Sequence, residues 1–239
     1  MSRKLIVMAT IIVLPVVILG TVVRIEMNSE GLYLRGFDTY AVSERTGIVD
    51  QDLQSIPAHL IRFFNGLEDS AQMAVRKEDG ATIALFHDYE LIHLDDVRRL
   101  FSLNSILQAL GLLLLVLLAG VATRGTSQDG VRSVLTGVRI GSSLIIFSLI
   151  ALGVLFAMQF DRMFVGFHML AFTNEFWLLD PRTDYLVMLF PTGFWQGIFF
   201  MAGGLTGFVA MVLLMATTLL ERRLARGTPD RHFEPGRDV

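Results

Sequence analysis

Four stretches of this chain carry no charged residue and are long enough to cross a bilayer: residues 5–23, 100–122, 140–160 and 193–220. The hydrocarbon core of a membrane is about 30 Å thick, so a span needs about 20 apolar residues. Inside that core every backbone N–H and C=O must find its partner within the protein, which makes runs of this kind helical. Composition agrees: 53% of the 239 residues are hydrophobic and only 18% are charged, the balance of an integral membrane protein. The chain has no cysteine, which excludes disulfides, thiolate nucleophiles and cysteine zinc sites together.

The first run follows Arg3 and Lys4. It exceeds a signal-peptide core in length and lacks a small-x-small cleavage site, so it reads as a retained anchor, with Pro15 predicting a kink. In the last run, Gly203-x-x-x-Gly207 with Ala202, Gly204 and Ala210 is a pattern that lets helices pack closely. The expected architecture is an all-α membrane protein: one four-helix transmembrane domain over residues 1–222 and a polar tail, 223–239, without a core of its own.

Two polar segments, 24–99 and 161–192, separate the runs on one side. In the longer one, Tyr33, Phe37, Tyr40 and Ala41 recur at helical spacing and predict a short amphipathic helix ending near Gly47. A second helix is predicted through Leu53, Leu60, Ile61, Phe63 and Phe64, ending at Gly66. Residues 71–75 and 81–86 flank an Asp79-Gly80 turn, the signature of a β-hairpin. These elements form a small α+β cap. Short-loop charge gives its side: the N-terminus, the 123–139 loop and the tail sum to +5, and the other two segments to −8. By the positive-inside rule both termini are cytoplasmic and the cap is extracytoplasmic.

Chemistry concentrates in residues 86–101, FHDYELIHLDDVRRLF, which lead into the second span without a proline. Glu90, His93 and Asp96 are three residues apart, so they share one third of a helix circumference. His93 precedes the apolar run by two turns, roughly 10 Å above the hydrocarbon, at the depth of lipid ester bonds. An imidazole beside a carboxylate is an acid–base pair. His168, eight residues after Phe160, approaches the same interface within a segment rich in Phe, Trp and Tyr that suits the headgroup layer. Structural readings stand beside these: Glu90 and Asp96 as a solvated face, Asp180-Pro181 as a turn, Asp184 as a helix cap, Trp177 as an interface anchor.

In order and spacing, Glu90-x-x-His93, Asp96, Val97 and Arg98, followed by Phe167-His168, Asn174, Trp177, Asp180-Pro181, Asp184 and Leu189-Phe190-Pro191, resemble the four-span family of the lipoprotein intramolecular transacylase, Lit. The resemblance covers about residues 5 to 222. It implies a protein of the bacterial inner membrane that moves the sn-2 acyl chain of a diacylglyceryl-modified lipoprotein cysteine to that cysteine's α-amino group, leaving a lyso-form lipoprotein. His93 and His168 correspond to the family's two signature histidines and are the expected catalytic pair. Glu90, Asp96, Asn174, Asp180 and Asp184 are expected in support, Glu90 by orienting the His93 imidazole, with Trp177 and Arg98 touching substrate. Such an O-to-N acyl shift needs a base for the amine, a donor for the carbonyl oxyanion and a proton for the leaving glyceryl oxygen. It needs no protein nucleophile and no cofactor. The expected partners are lipoproteins and membrane lipids and not nucleic acid; the sequence leaves the oligomeric state open. Two alternatives stand: a metal site built on Glu90-x-x-His93, and a non-enzymatic membrane adaptor or sensor.

Overall fold

The structure, a computed structural model, describes residues 2–123 and 129–226. Four long helices carry the apolar runs: α1 (Arg3–Met27), α6 (Asp88–Thr123), α7 (Asp129–Ala171) and α9 (Thr192–Arg226), each long and apolar enough to cross a membrane. The polar tail expected after residue 222 lies, from residue 227 on, outside the described residues.

The bundle is organised around α1, which packs against α6, α7 and α9. In its most apolar window 39% of residues are buried inside the protein, against 17% in each of the other three helices. Ile6, Thr10, Leu14, Ile18 and Val22 recur every four residues and form its inner stripe. A Cβ on Gly137 of α7 would come within 2.7 Å of the Thr10 Cβ, so the two backbones meet only because this residue is glycine. Side-chain amides join α1 to α6: Asn104 donates to the Gly20 carbonyl and Gln108 to the Thr21 hydroxyl, each at 3.1 Å. At the far end Arg3 pairs with Asp129. The helix α1 runs through Pro15 without a break.

Among the described residues the one departure from helical backbone in the spans is in α7, where Gln159 takes φ −140°, ψ 35° and the helix then resumes to Ala171. The helix therefore runs on past Phe160, where the third apolar run ends. Asp161 and Arg162 mark where the chain leaves the hydrocarbon, but a helix can continue in water, and this one carries His168 a further two turns out.

The cap is α+β as expected, in more pieces. The first predicted helix is two, α2 (Glu30–Thr39) and α3 (Val42–Thr46), divided at Ala41, which sits at φ +48°. A left-handed alanine costs roughly 1–2 kcal/mol, which the surrounding core offsets. The second is α4 (Asp50–Leu53) and α5 (Ile56–Phe64), with Pro57 in the first turn of α5, where its missing N–H costs nothing. β1 (Ala74–Arg76) and β2 (Thr82–Ala84) pair antiparallel, Val75 opposite Ile83, around Gly80 at φ +86°. A last short helix, α8 (Tyr185–Leu189), precedes α9. The cap has no separate core. Phe37, Ile56, Leu60 and Phe63 pack in one cluster with Phe101 of α6 and Phe194 of α9. Phe194 lies so close to α2 that a Cβ on Gly36 would meet its ring at 2.5 Å. A segment this small gains stability by borrowing apolar surface from the helix ends beneath it.

Candidate active site

The extramembrane start of α6 presents two neighbouring clusters. The first is built on Glu90, which is fully buried. Its Oε1 accepts from the backbone N–H of Leu186 at 2.7 Å, and its Oε2 accepts from the His87 backbone N–H and lies 2.8 Å from the His87 Nδ1. Leu186 is the second residue of α8, so Glu90 satisfies the N–H that a helix cap ordinarily takes. Asp184 stands at the cap position of α8 but its side chain turns elsewhere. It accepts from the Tyr89 hydroxyl at 2.6 Å, the Thr183 hydroxyl at 2.9 Å and the Asp180 N–H at 2.7 Å. Burial opposes its ionisation, yet these donors win and hold its carboxyl below the usual range, while the Tyr89 phenol is pushed up to about 12 by the same hydrogen bond. Two expectations change here. Glu90 holds His87 rather than His93, and the cap assigned to Asp184 is supplied by Glu90.

One turn further on, the structure brings His93 and His168 face to face, ring centroids 5.8 Å apart and both imidazoles buried. The kink at Gln159 and the continuation of α7 deliver His168 to this place. Its Nδ1 lies 2.7 Å from the carbonyl oxygen of Phe164, one turn earlier. A carbonyl only accepts, so Nδ1 carries the proton and Nε2 keeps its lone pair. The Nδ1 of His93 is buried without a hydrogen-bond partner. Phe172 contacts both rings, at 5.0 Å and 5.5 Å, and Trp177 covers His168 at 5.1 Å. Desolvation pushes His93 down to about 4, helped by His168 and resisted by Asp96; burial lowers His168 too, against the pull of the Phe164 carbonyl. Both groups sit outside the apolar spans and are neutral imidazoles at pH 7.

Asp96, Asn174 and Trp177 close this second cluster. Asn174 Nδ2 donates to Asp96 Oδ2 at 2.7 Å, and Trp177 Nε1 donates to the Asn174 carbonyl at 2.9 Å, tying the loop after α7 to α6 with the indole over His168. Asp180 and Arg98 are not among these contacts. Asp180 is clamped by Arg182 at 2.6 Å, which lowers its carboxyl to about 2, and Arg98 stacks 4.8 Å above Phe63 in the cap. Sequence reading overlooked Phe164, Phe172, His87 and Tyr89. For Phe164 the signal was present, since it precedes His168 by one helical turn. Among the described residues no three His, Asp or Glu side chains converge as metal ligands, and both oxygens of Glu90 are engaged elsewhere.

A helical bundle with a shielded histidine pair beyond the end of its spans defines the class: an integral membrane protein with two buried imidazoles apposed outside its apolar runs. The family model of the lipoprotein intramolecular transacylase Lit matches residues 8–195, and the chain belongs to that family. It is a bacterial membrane transacylase. Its fold is that of the membrane-integral Lit of Bacillus cereus, with a TM-score of 0.70 at 19% identity over 94% of this chain and 96% of that one. A histidine-to-arginine variant of the same protein gives 0.71 at 17% identity, over 95% of each chain. At such identities the likeness establishes the fold, and the family match establishes membership. No curated protein matches the chain.

Proposed function

We propose that the protein moves the sn-2 acyl chain of a diacylglyceryl lipoprotein cysteine to that cysteine's own α-amino group, with His93 and His168 as the working pair. The observation that carries this reading is the apposition of two neutral imidazoles, one with a free Nε2 lone pair, under an aromatic cover. His168 Nε2 takes the proton from the amine as nitrogen attacks the sn-2 carbonyl. The N–C bond forms, the C–O bond to glycerol breaks, and the proton passes to the departing glyceryl oxygen. A neutral His93 donates N–H toward the carbonyl oxyanion, a role that a low pKa favours because the ring remains uncharged while donating. Donor and acceptor belong to one molecule, so the site chiefly positions them, and Phe172 and Trp177 keep water from the ester. Mass spectrometry of a lipoprotein's N-terminal peptide, with and without this protein, tests the reading. The expected product has one acyl chain on nitrogen and one on glycerol; free fatty acid as the main product overturns it.

The short-loop charge supports an orientation with both termini cytoplasmic and the histidines outside. A reporter inserted after Gly66 is expected to behave as exported and one after Gly130 as cytoplasmic; the reverse at either site overturns that orientation. The metal-site alternative loses its Glu90 carboxylate to the His87 and Leu186 bonds, and no contact among the described residues favours the adaptor reading.

A further inference from the structure

Between α7 and α9, within the spans, lies an apolar groove of about 380 Å³. Leu149 and Gly153 line it from α7, and Phe199, Gly203, Gly204 and Gly207 from α9. Of the small residues in the packing pattern of α9, Gly203, Gly204 and Gly207 border this groove. A Cβ on Gly153 or Gly204 would meet no atom within 4 Å, and on Gly203 or Gly207 only Leu149, at 3.9 Å and 3.5 Å. Close approach belongs to Gly137, against Thr10, while this stripe leaves open volume.

A row of aromatic rings links the groove to the histidine pair. Leu149, Gly153, Phe156, Phe160, Phe164 and His168 follow one another at three- and four-residue intervals along one stripe of α7. Their rings form an unbroken series: Phe199 on Phe156 at 3.6 Å, Phe156 to Phe160 at 6.1 Å, Phe160 to Phe164 at 5.8 Å, and Phe164 to His168 at 4.3 Å. The series crosses Gln159, so the kink does not interrupt it. From Phe164 to Gly153 is about 16 Å of helix. A lipid chain covers a similar depth, about half of the ~30 Å hydrocarbon core.

We propose that this groove seats the distal part of the transferred sn-2 acyl chain while the ester sits between His93 and His168. The inference rests on the function proposed above and adds to it a chain-length preference. A long chain lies along the phenylalanine series and ends in the groove. A short chain ends at Phe160 or Phe156 and never reaches it.

The open space at Gly204 and Gly153 makes the test clean, because a leucine there fills the groove without striking the fold. Full-length Gly204→Leu and Gly153→Leu proteins are given synthetic diacylglyceryl lipopeptides that carry either a palmitoyl or an octanoyl sn-2 chain. Gly120→Leu serves as control, since Gly120 is equally open but lies on α6 away from the groove. The palmitoyl substrate is expected to lose about tenfold in kcat/KM, the equivalent of roughly two methylenes left unburied. The octanoyl rate and the thermal midpoint are expected to hold, and Gly120→Leu to match wild type. If the filled variants retain the wild-type preference, or lose both substrates equally while still folded, the groove holds only bulk lipid and the proposal is overturned. A wild-type protein that moves neither chain overturns the functional reading itself, and the groove's role with it.

Discussion

The two clusters at the start of α6 stand one helical turn apart and treat their polar atoms in opposite ways. Around Glu90 and Asp184 each carboxylate oxygen has a donor, and the groups they bind lie up to 96 residues away in the chain. Around His93 and His168 one ring nitrogen is buried with no partner, another is tied to a carbonyl, and the rest of the wall is aromatic. A fully satisfied buried network rigidifies what it joins, whereas an unsatisfied buried group costs about 1–3 kcal/mol and persists where function requires it. Under the function proposed above, the contrast separates scaffold from chemistry. The Glu90 cluster fixes α8 and its loop, and the histidine pair is left to act on the substrate.

The sharpest way to break that division is to remove the histidines. His168→Ala and His93→Ala are each expected to lower acyl transfer by about 10²-fold or more, the usual size of a lost general acid or base. Yield and thermal midpoint should stay near wild type, since the pair contributes little hydrogen bonding to the fold. Near-wild-type conversion by His168→Gln would reduce that residue to a structural one.

Glu90 should behave in the opposite sense. Glu90→Ala leaves the buried Leu186 N–H without its acceptor and removes that of the His87 N–H, which is expected to cost roughly 3 kcal/mol of stability. The fall in transfer should be smaller than for either histidine and should follow the fraction folded. A stable Glu90→Ala protein that has lost its activity would place Glu90 in the chemistry and erase the contrast drawn above.

What the sequence revealed and what it hid follow from range. Uncharged runs disclose the spans because hydrocarbon excludes charge locally, residue by residue. Asp79-Gly80 discloses the hairpin because a tight turn is decided by the residues within it. His93 and His168 were legible through their spacing and the family pattern, but their apposition was not, because it depends on a helix that continues past Asp161 and Arg162. Those charges end the span, not the helix. Glu90 was assigned to the histidine one turn away, while its real partners are His87 and a backbone N–H in α8. No local pattern encodes that second contact. The small-residue pattern of α9 was legible too, but which of its members bury and which border open space depends on the facing helix: Ala210 is buried, while a Cβ on Gly204 would meet no atom within 4 Å.

Acid offers the smallest and most discriminating test of the comparison. Burial lowers both imidazoles, His93 to about 4 from an ordinary value of 6.5. When the folded pKa lies below the unfolded one, the unfolded chain binds the proton first as pH falls. The stability due to the neutral buried ring is therefore whole above 6.5 and is lost progressively between 6.5 and 4. At pH 5 the His93 share is about 2 kcal/mol, taking 1.36 kcal/mol for each of the 1.5 units below 6.5. The thermal midpoint should fall between pH 7 and pH 5 in wild type and fall less in His93→Gln, which has no proton to refuse. The His93 ring should meanwhile still be neutral at pH 6, so its proposed part in transfer should survive there. An equal loss of midpoint in both proteins would locate the acid sensitivity outside the His93 ring.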